Sequence, residues 1–270
     1  MNESIVVTSG KGGVGKTTVV ANVGVALAQL GYSVSLIDAD VGLRNLDIVM
    51  GLEAKAKRNL IDVTKGLCSI DDALTEDKRL KGKLFLIAAS QAHKKEDIDK
   101  DSFHKIIAEL KERFDYTIID CPAGIEYGFN VSIKNADRAI VVVNPDVSSV
   151  RDVDRVIGII EKEKMRKIEL IINRVNLDLL KKREIISIED IVDILGVKLI
   201  GIIPESYKII VASNVGKPVL FGKDKELSTI FLNIATRIVG GKVPLTIDGE
   251  NGQSKSENLW KKVKKTFNRK

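Results

Sequence analysis

Short apolar runs rich in Val and Ile recur along the chain between longer segments of helical period. The runs predict strands over 4–8, 33–38, 84–88, 116–120, 138–144, 168–173 and 198–203. Several, such as Ile140-Val141-Val142-Val143, are continuous rather than alternating, as in parallel strands buried on both faces. The periodic segments predict helices over 17–30, closed by Gly31; 102–113; 150–164; 187–195, closed by Gly196; and 225–239. Ser187 followed by Asp190 has the pattern of an N-cap with an acid in the first turn. Strand and helix alternating in this way predict an α/β fold, a doubly wound and mostly parallel sheet flanked by helices.

Composition narrows the classes. The longest apolar run, Leu84 to Ala89, is far short of the roughly 20 residues that span a bilayer. Met1-Asn2-Glu3-Ser4 has no basic region of the kind that opens a signal peptide. Cys68 and Cys121 fit neither a disulfide framework nor a paired metal motif and read as cytosolic thiols. Of 43 basic and 37 acidic residues, seven and one lie in 255–270, which leaves 36 of each in residues 1–254. The excess behind the net charge of +6 thus belongs to one short tail. Lys181-Lys182-Arg183 reads as a solvated loop, His93 and His104 as surface residues, and Cys121 as a small packed residue.

Gly10-Lys11-Gly12-Gly13-Val14-Gly15-Lys16-Thr17 matches G-x-x-x-x-G-K-[ST] between a predicted strand and a predicted helix. Its glycines let backbone N–H groups converge on phosphate oxygens, and the following helix N-terminus adds a positive field. Lys16 is placed to reach the β- and γ-phosphates and the Thr17 hydroxyl to ligate Mg²⁺. Asp38 and Asp40 follow the second predicted strand and Asp120 ends the fourth. Carboxylates at the C-terminal ends of parallel strands face the ligand crevice, where they hold Mg²⁺ or position water. The alternative for Asp38 or Asp120 alone is a strand-end cap.

The full string Lys11 to Thr18 resembles the deviant Walker A loop of the MinD/ParA ATPases. The strings Asp38–Asp47, Asp120–Glu126 and Ser148–Asp152, and the run from residue 4 to about 240, resemble the septum site-determining MinD branch of that class. The resemblance implies a slow, Mg-dependent ATPase in which Lys11 crosses to the partner subunit's phosphates and couples ATP to homodimer formation. It makes Asp40 the acid that positions or activates water, and Asp120 the Walker B-type acid near Mg²⁺ with Asp38. Asn45, with Arg44, belongs to a mobile switch, and Ser148, Arg151 and Asp152 to the switch and partner face. Asn173, Pro204 and Glu205 frame the adenine. The implied partners are the division inhibitor MinC, recruited to control septum placement, and the activator MinE or another spatial regulator. Flagellar-number ATPases of the FlhG type and ParA-type partition ATPases are the alternatives within the class. The former commonly have Asn where this chain has Thr18, and the latter need a basic DNA-binding surface, whereas this body is formally neutral. An alternative of another kind is a nucleotide-gated membrane scaffold.

The domain reading is an ATPase over 1–241, a flexible linker over 242–256 rich in Gly, Ser, Asn and Pro, and an amphipathic helix over 257–270. Leu259, Trp260, Val263 and Phe267 share one helical face, flanked by Lys261, Lys262, Lys264, Lys265 and Arg269. Apolar aromatics against lysines suit an anionic membrane surface, and MinD proteins end in such a sequence. The expected location is cytoplasmic, peripheral on the membrane.

Overall fold

The computed structural model describes residues 2–245. Eight strands form one sheet: β1 (Glu3–Thr8), β2 (Val34–Asp38), β3 (Thr75–Glu76), β4 (Leu84–Ile87), β5 (Tyr116–Asp120), β6 (Arg138–Val143), β7 (Ile168–Val175) and β8 (Lys198–Pro204). Their order is β3-β4-β2-β5-β1-β6-β7-β8. All pairings are parallel except β3 with β4. Every residue of β2, β5 and β6 is buried, which explains why these strands read as unbroken apolar runs.

Among the described residues are eleven α-helices, besides three short 3-10 turns: α1 (Lys16–Gln29), α2 (Leu46–Met50), α3 (Leu60–Thr64), α4 (Ile70–Ala73), α5 (Lys100–Arg113), α6 (Tyr127–Lys134), α7 (Val147–Lys162), α8 (Leu177–Lys182), α9 (Ile188–Leu195), α10 (Tyr207–Asn214) and α11 (Lys225–Ile238). Alternate residues of β1 enter different cores. Ile5 and Val7 pack with α1 and α11, while Val6 packs with α5, α7 and α9. The helix α1 is apolar nearly all round and buried from Val19 to Ala28, so its packing, not an amphipathic stripe, fixes it. On this side Gly24 lets α1 lie against Leu36, where an added Cβ would come within 2.7 Å of the Leu36 side chain.

The structure extends the predicted α7 toward its N-terminus, because the Asp146 side chain accepts from the Ser149 N–H and caps the helix at Val147. Lys181 and Lys182 end α8 rather than lying in a loop, with Arg183 left-handed behind them. Ser187 caps α9 through the Asp190 N–H, as its pattern predicted. At the start of the predicted linker, Arg237 donates to the carbonyls of Val243 and Pro244, and Leu245 is buried. The rest of the linker and the 257–270 tail lie outside the described residues. No described helix is long and apolar enough to cross a membrane.

Candidate functional site: the nucleotide crevice

Strand β1 lies between β5 and β6. The chain therefore leaves β1 toward one half of the sheet and later crosses to the other. Ligands bind at such a reversal, outside the carboxyl ends of the strands. Here the loop Gly10–Gly15 connects β1 to α1, and Gly15 takes the N-cap position of α1 with φ 99°. A side chain at Gly15 would be strained by that backbone, and its Cβ would lie 2.4 Å from Asn173 Nδ2. That Asn173 amide donates to the Val14 carbonyl at 2.7 Å, bracing the loop from β7. At the loop's other end a Cβ on Gly10 would collide with Asp152 of α7. Gly12 and Gly13 are exposed, and Lys16 is buried at the first position of α1. Thr17 and Thr18 follow it into the helix, and the Thr18 carbonyl accepts from Asn22.

The acids come to the same edge of the sheet. Asp38 pairs in register with Asp120 across β2 and β5. Asp120 is buried, and burial pushes its carboxyl up to about 7, against the pull of a Thr17 hydrogen bond and the Lys16 charge. Its Oδ1 is buried with no hydrogen-bond partner. A buried, unpartnered carboxylate oxygen beside a threonine hydroxyl is a donor set of hard oxygens, which fits Mg²⁺.

Asp38 is arranged differently. Its Oδ1 accepts from the Asp40 N–H at 3.0 Å, and its Oδ2 accepts from the N–H groups of Asn45 and Leu46, each at 3.1 Å. Both oxygens thus serve the backbone of the 40–46 loop, which is the capping role. Burial raises the Asp38 carboxyl well above the usual range, and the neighbouring Asp120 adds to the shift. Asp40 is held by its own N–H, and its Oδ1 lies 3.6 Å from Lys95 Nζ. Arg44 is left-handed, with φ 50°, and turned inward. Its Nε donates to the fully buried Asp47 and its Nη2 to the Ala56 carbonyl.

The second lysine of the loop has a definite contact. Lys11 Nζ donates to Ser148 Oγ at 2.8 Å and to Asp146 Oδ1 at 3.2 Å. Ser148 lies in the first turn of α7, and Asp146 is the N-cap of that helix. Ser148 and Arg151 are exposed and Asp152 half-buried, so the predicted partner face lies directly against the phosphate loop. On the far side, Pro204 ends β8, and the exposed Glu205 accepts from Asn176 Nδ2 at 3.0 Å. Sequence reasoning missed Asp146, Lys95 and Asn176. Asp146 and Asn176 carried a local signal, each as a capping residue at a helix start, but Lys95 carried none. Cys121 is packed in the core, and burial pushes its thiol up to about 12. His93 is half-buried and shares a hydrogen bond with Ser90, while His104 is exposed.

A glycine-rich loop at the sheet's reversal point, a lysine and threonine opening the next helix and a buried acid at the end of β5 beside them define a nucleotide-binding P-loop domain. The model of the CobQ/CobB/MinD/ParA nucleotide binding domain matches residues 5–219. The chain is 49% identical over 245 residues to the septum site-determining protein MinD of Synechocystis sp., covering 90% of this chain and 92% of that one. It superposes on the MinC:MinD cell division protein complex of Aquifex aeolicus with a TM-score of 0.85 at 44% identity, covering 92% of this chain and 100% of that one. A third similarity is to MinD of Pyrococcus horikoshii complexed with Mg-ADP, with a TM-score of 0.79, 28% identity and coverage of 90% and 100%. The chain belongs to the CobQ/CobB/MinD/ParA family of nucleotide-binding proteins and, within it, to the MinD septum site-determining proteins.

Proposed function

We propose that the protein is an ATPase that forms a homodimer around ATP, associates with the membrane and recruits a MinC-type inhibitor to control septum placement. The observation that carries this reading is the convergence of Lys16, Thr17, Asp120 and Asp40 on the phosphate loop, with Lys11 beside it. Lys16 and the loop amides bind the β- and γ-phosphates. Thr17 and Asp120 would hold Mg²⁺, which neutralises charge on the phosphates when bound. Asp40 positions the attacking water, and Asp38 fixes Asp40 through its backbone N–H. Asn173, Pro204 and Glu205 frame the base. The Mg-ADP complex of the Pyrococcus horikoshii relative supports nucleotide with Mg²⁺, and the MinC:MinD complex supports an inhibitor partner.

In this reading Lys11 leaves its own Asp146 and Ser148 and reaches the phosphates of the other subunit. Its ion pair is half-exposed at both ends, and such pairs are worth about 0–1 kcal/mol, so the contact is easily given up. A MinE-type activator would stimulate turnover, and the 257–270 helix would supply the membrane contact beyond a linker. Turnover of Mg-ATP, measured with anionic vesicles and an added MinE-type activator, tests the reading. Absence of hydrolysis under those conditions would leave a nucleotide-gated scaffold instead.

A further inference from the structure

The loops after β2 and β8, which lie on opposite sides of β1 in the sheet, each lead into a short helix. The 40–45 loop, which carries Asp40, runs into α2, and the Pro204–Ser206 segment runs into α10. The far ends of these helices meet. A Cβ on Gly51 would lie 2.4 Å from the Gly216 carbonyl oxygen, and one on Gly216 would lie 2.6 Å from the Gly51 Cα. The two backbones are thus in direct contact, with no side chain between them.

One side chain holds this junction. Arg79 Nη2 donates to the Met50 carbonyl at the end of α2, at 2.5 Å, and Nη1 donates to the Gly216 carbonyl just past α10, at 3.3 Å. The Met50 carbonyl is one of those a helix C-terminus leaves without an internal partner, and the Gly216 carbonyl lies in the turn that follows the α10 cap. The guanidinium is itself oriented by Asp77, which is 1% exposed and accepts from Nε at 2.8 Å and from Nη2 at 2.6 Å. Its flat face lies 4.3 Å from the centre of the Phe221 ring. The turn that contains Phe221 is fastened in turn to α1, where Asn22 Oδ1 accepts from the Val219 N–H at 2.8 Å. At the other end of α2, Asp38 ties the first turn to the Asp40 N–H.

We infer that Arg79 is a positioning residue that couples the base side of the crevice to the Asp40 loop. A planar fork that donates to two helix ends at once cannot follow one helix without pulling on the other, and a lysine has no such fork. A base seated at Pro204 and Glu205 therefore restrains α10, and through Arg79 restrains α2 and the Asp40 loop. The inference extends the proposed hydrolytic role of Asp40, but its test requires no hydrolysis.

The test is amide hydrogen exchange of a peptide covering residues 39–50, in the presence of Mg-ADP or of Mg-pyrophosphate. The second ligand supplies phosphates without a base. In the wild-type protein, ADP is expected to slow exchange about fivefold more than pyrophosphate, the lower end of ordinary site-to-site coupling. In Arg79→Lys and Arg79→Met the two ligands should give the same exchange. A merely structural role predicts faster exchange with every ligand and an unchanged difference between them, which would overturn the inference, as would a wild-type protein indifferent to the base. Should both Arg79 variants fail to fold, Phe221→Leu removes only the ring that backs the guanidinium. It should shrink the ADP–pyrophosphate difference, and a full wild-type difference in that variant counts against the coupling.

Discussion

Asp38 and Asp120 look interchangeable along the chain, each ending a parallel strand, yet their surroundings differ. Asp38 spends both oxygens on three backbone N–H groups, whereas Asp120 keeps an oxygen free of partners beside Thr17. Their replacements should fail differently. Asp120→Asn is expected to weaken Mg²⁺-dependent nucleotide binding while leaving the fold intact. Asp38→Ala should lower stability, because it leaves the buried N–H of Leu46 unpaired, at about 1–3 kcal/mol. Nucleotide titration and urea unfolding of the two variants distinguish these outcomes. Asp40→Ala is expected to bind ATP normally and to lose turnover by roughly 10²-fold or more, the scale of a lost acid–base or water-positioning group. Unchanged stimulated turnover would remove Asp40 from the chemistry.

At the scale of the element, two strand junctions at the sheet's lower edge are built alike. Asp137 accepts from the N–H and hydroxyl of Ser4, and Asp115 accepts from the N–H and hydroxyl of Ser33. Bonds from Ser33 hold the Asp115 carboxyl below its ordinary value. Burial pushes the Asp137 carboxyl up, but bonds from Lys111 and Ser4 outweigh it and leave it depressed. A depressed carboxyl contributes stability that is present above the unfolded value near 3.9 and is lost as pH falls through the folded one. Thermal stability should therefore fall on acidification below about pH 4, and Ser33→Ala should flatten that fall, as read by melting at a series of pH values. Neither clasp was visible in sequence, since each joins residues more than 80 apart. The seven longer strands were legible because burial on both faces leaves an apolar run. The two-residue β3 is too short to leave a pattern, and α10 escaped because Tyr207, Ile210 and Val211 point outward and give it no buried face. The phosphate loop was legible from the fixed spacing of its motif, and the acids from their places at the ends of predicted parallel strands, which the sheet brings side by side. The contacts of Arg79 with Met50 and Gly216, of Lys95 with Asp40 and of Asn176 with Glu205 were not, because they are set by the packing of distant segments.

Across the whole molecule, the distribution of charge gives the final prediction. The body to residue 254 is formally neutral, and the net charge of +6 resides in 255–270. A single amphipathic segment of this length gains about 1 kcal/mol per lysine near an anionic surface, against about 1–2 kcal/mol per ordered residue. It should bind weakly and reversibly when alone. Two copies carried on one dimer bind with an avidity raised by roughly 10²–10⁴. Under the proposed function Lys11 would be a control point for the membrane, since Lys11→Ala should still take up nucleotide yet form no ATP-dependent dimer. Such a variant is expected to lose vesicle binding although its tail is intact. Deleting 257–270 should have the opposite profile, with vesicle binding lost and dimerisation retained, and Trp260→Glu should nearly match the deletion. Sedimentation with anionic vesicles, alongside analytical ultracentrifugation with a non-hydrolysable ATP analogue, reads both quantities for each variant. Wild-type binding should also weaken as salt rises, because exposed charges are screened beyond about 8 Å at physiological ionic strength. Vesicle binding that survives the deletion would place the membrane contact on the body, and an ATP-dependent dimer of Lys11→Ala would leave Lys11 serving only its own Asp146 and Ser148.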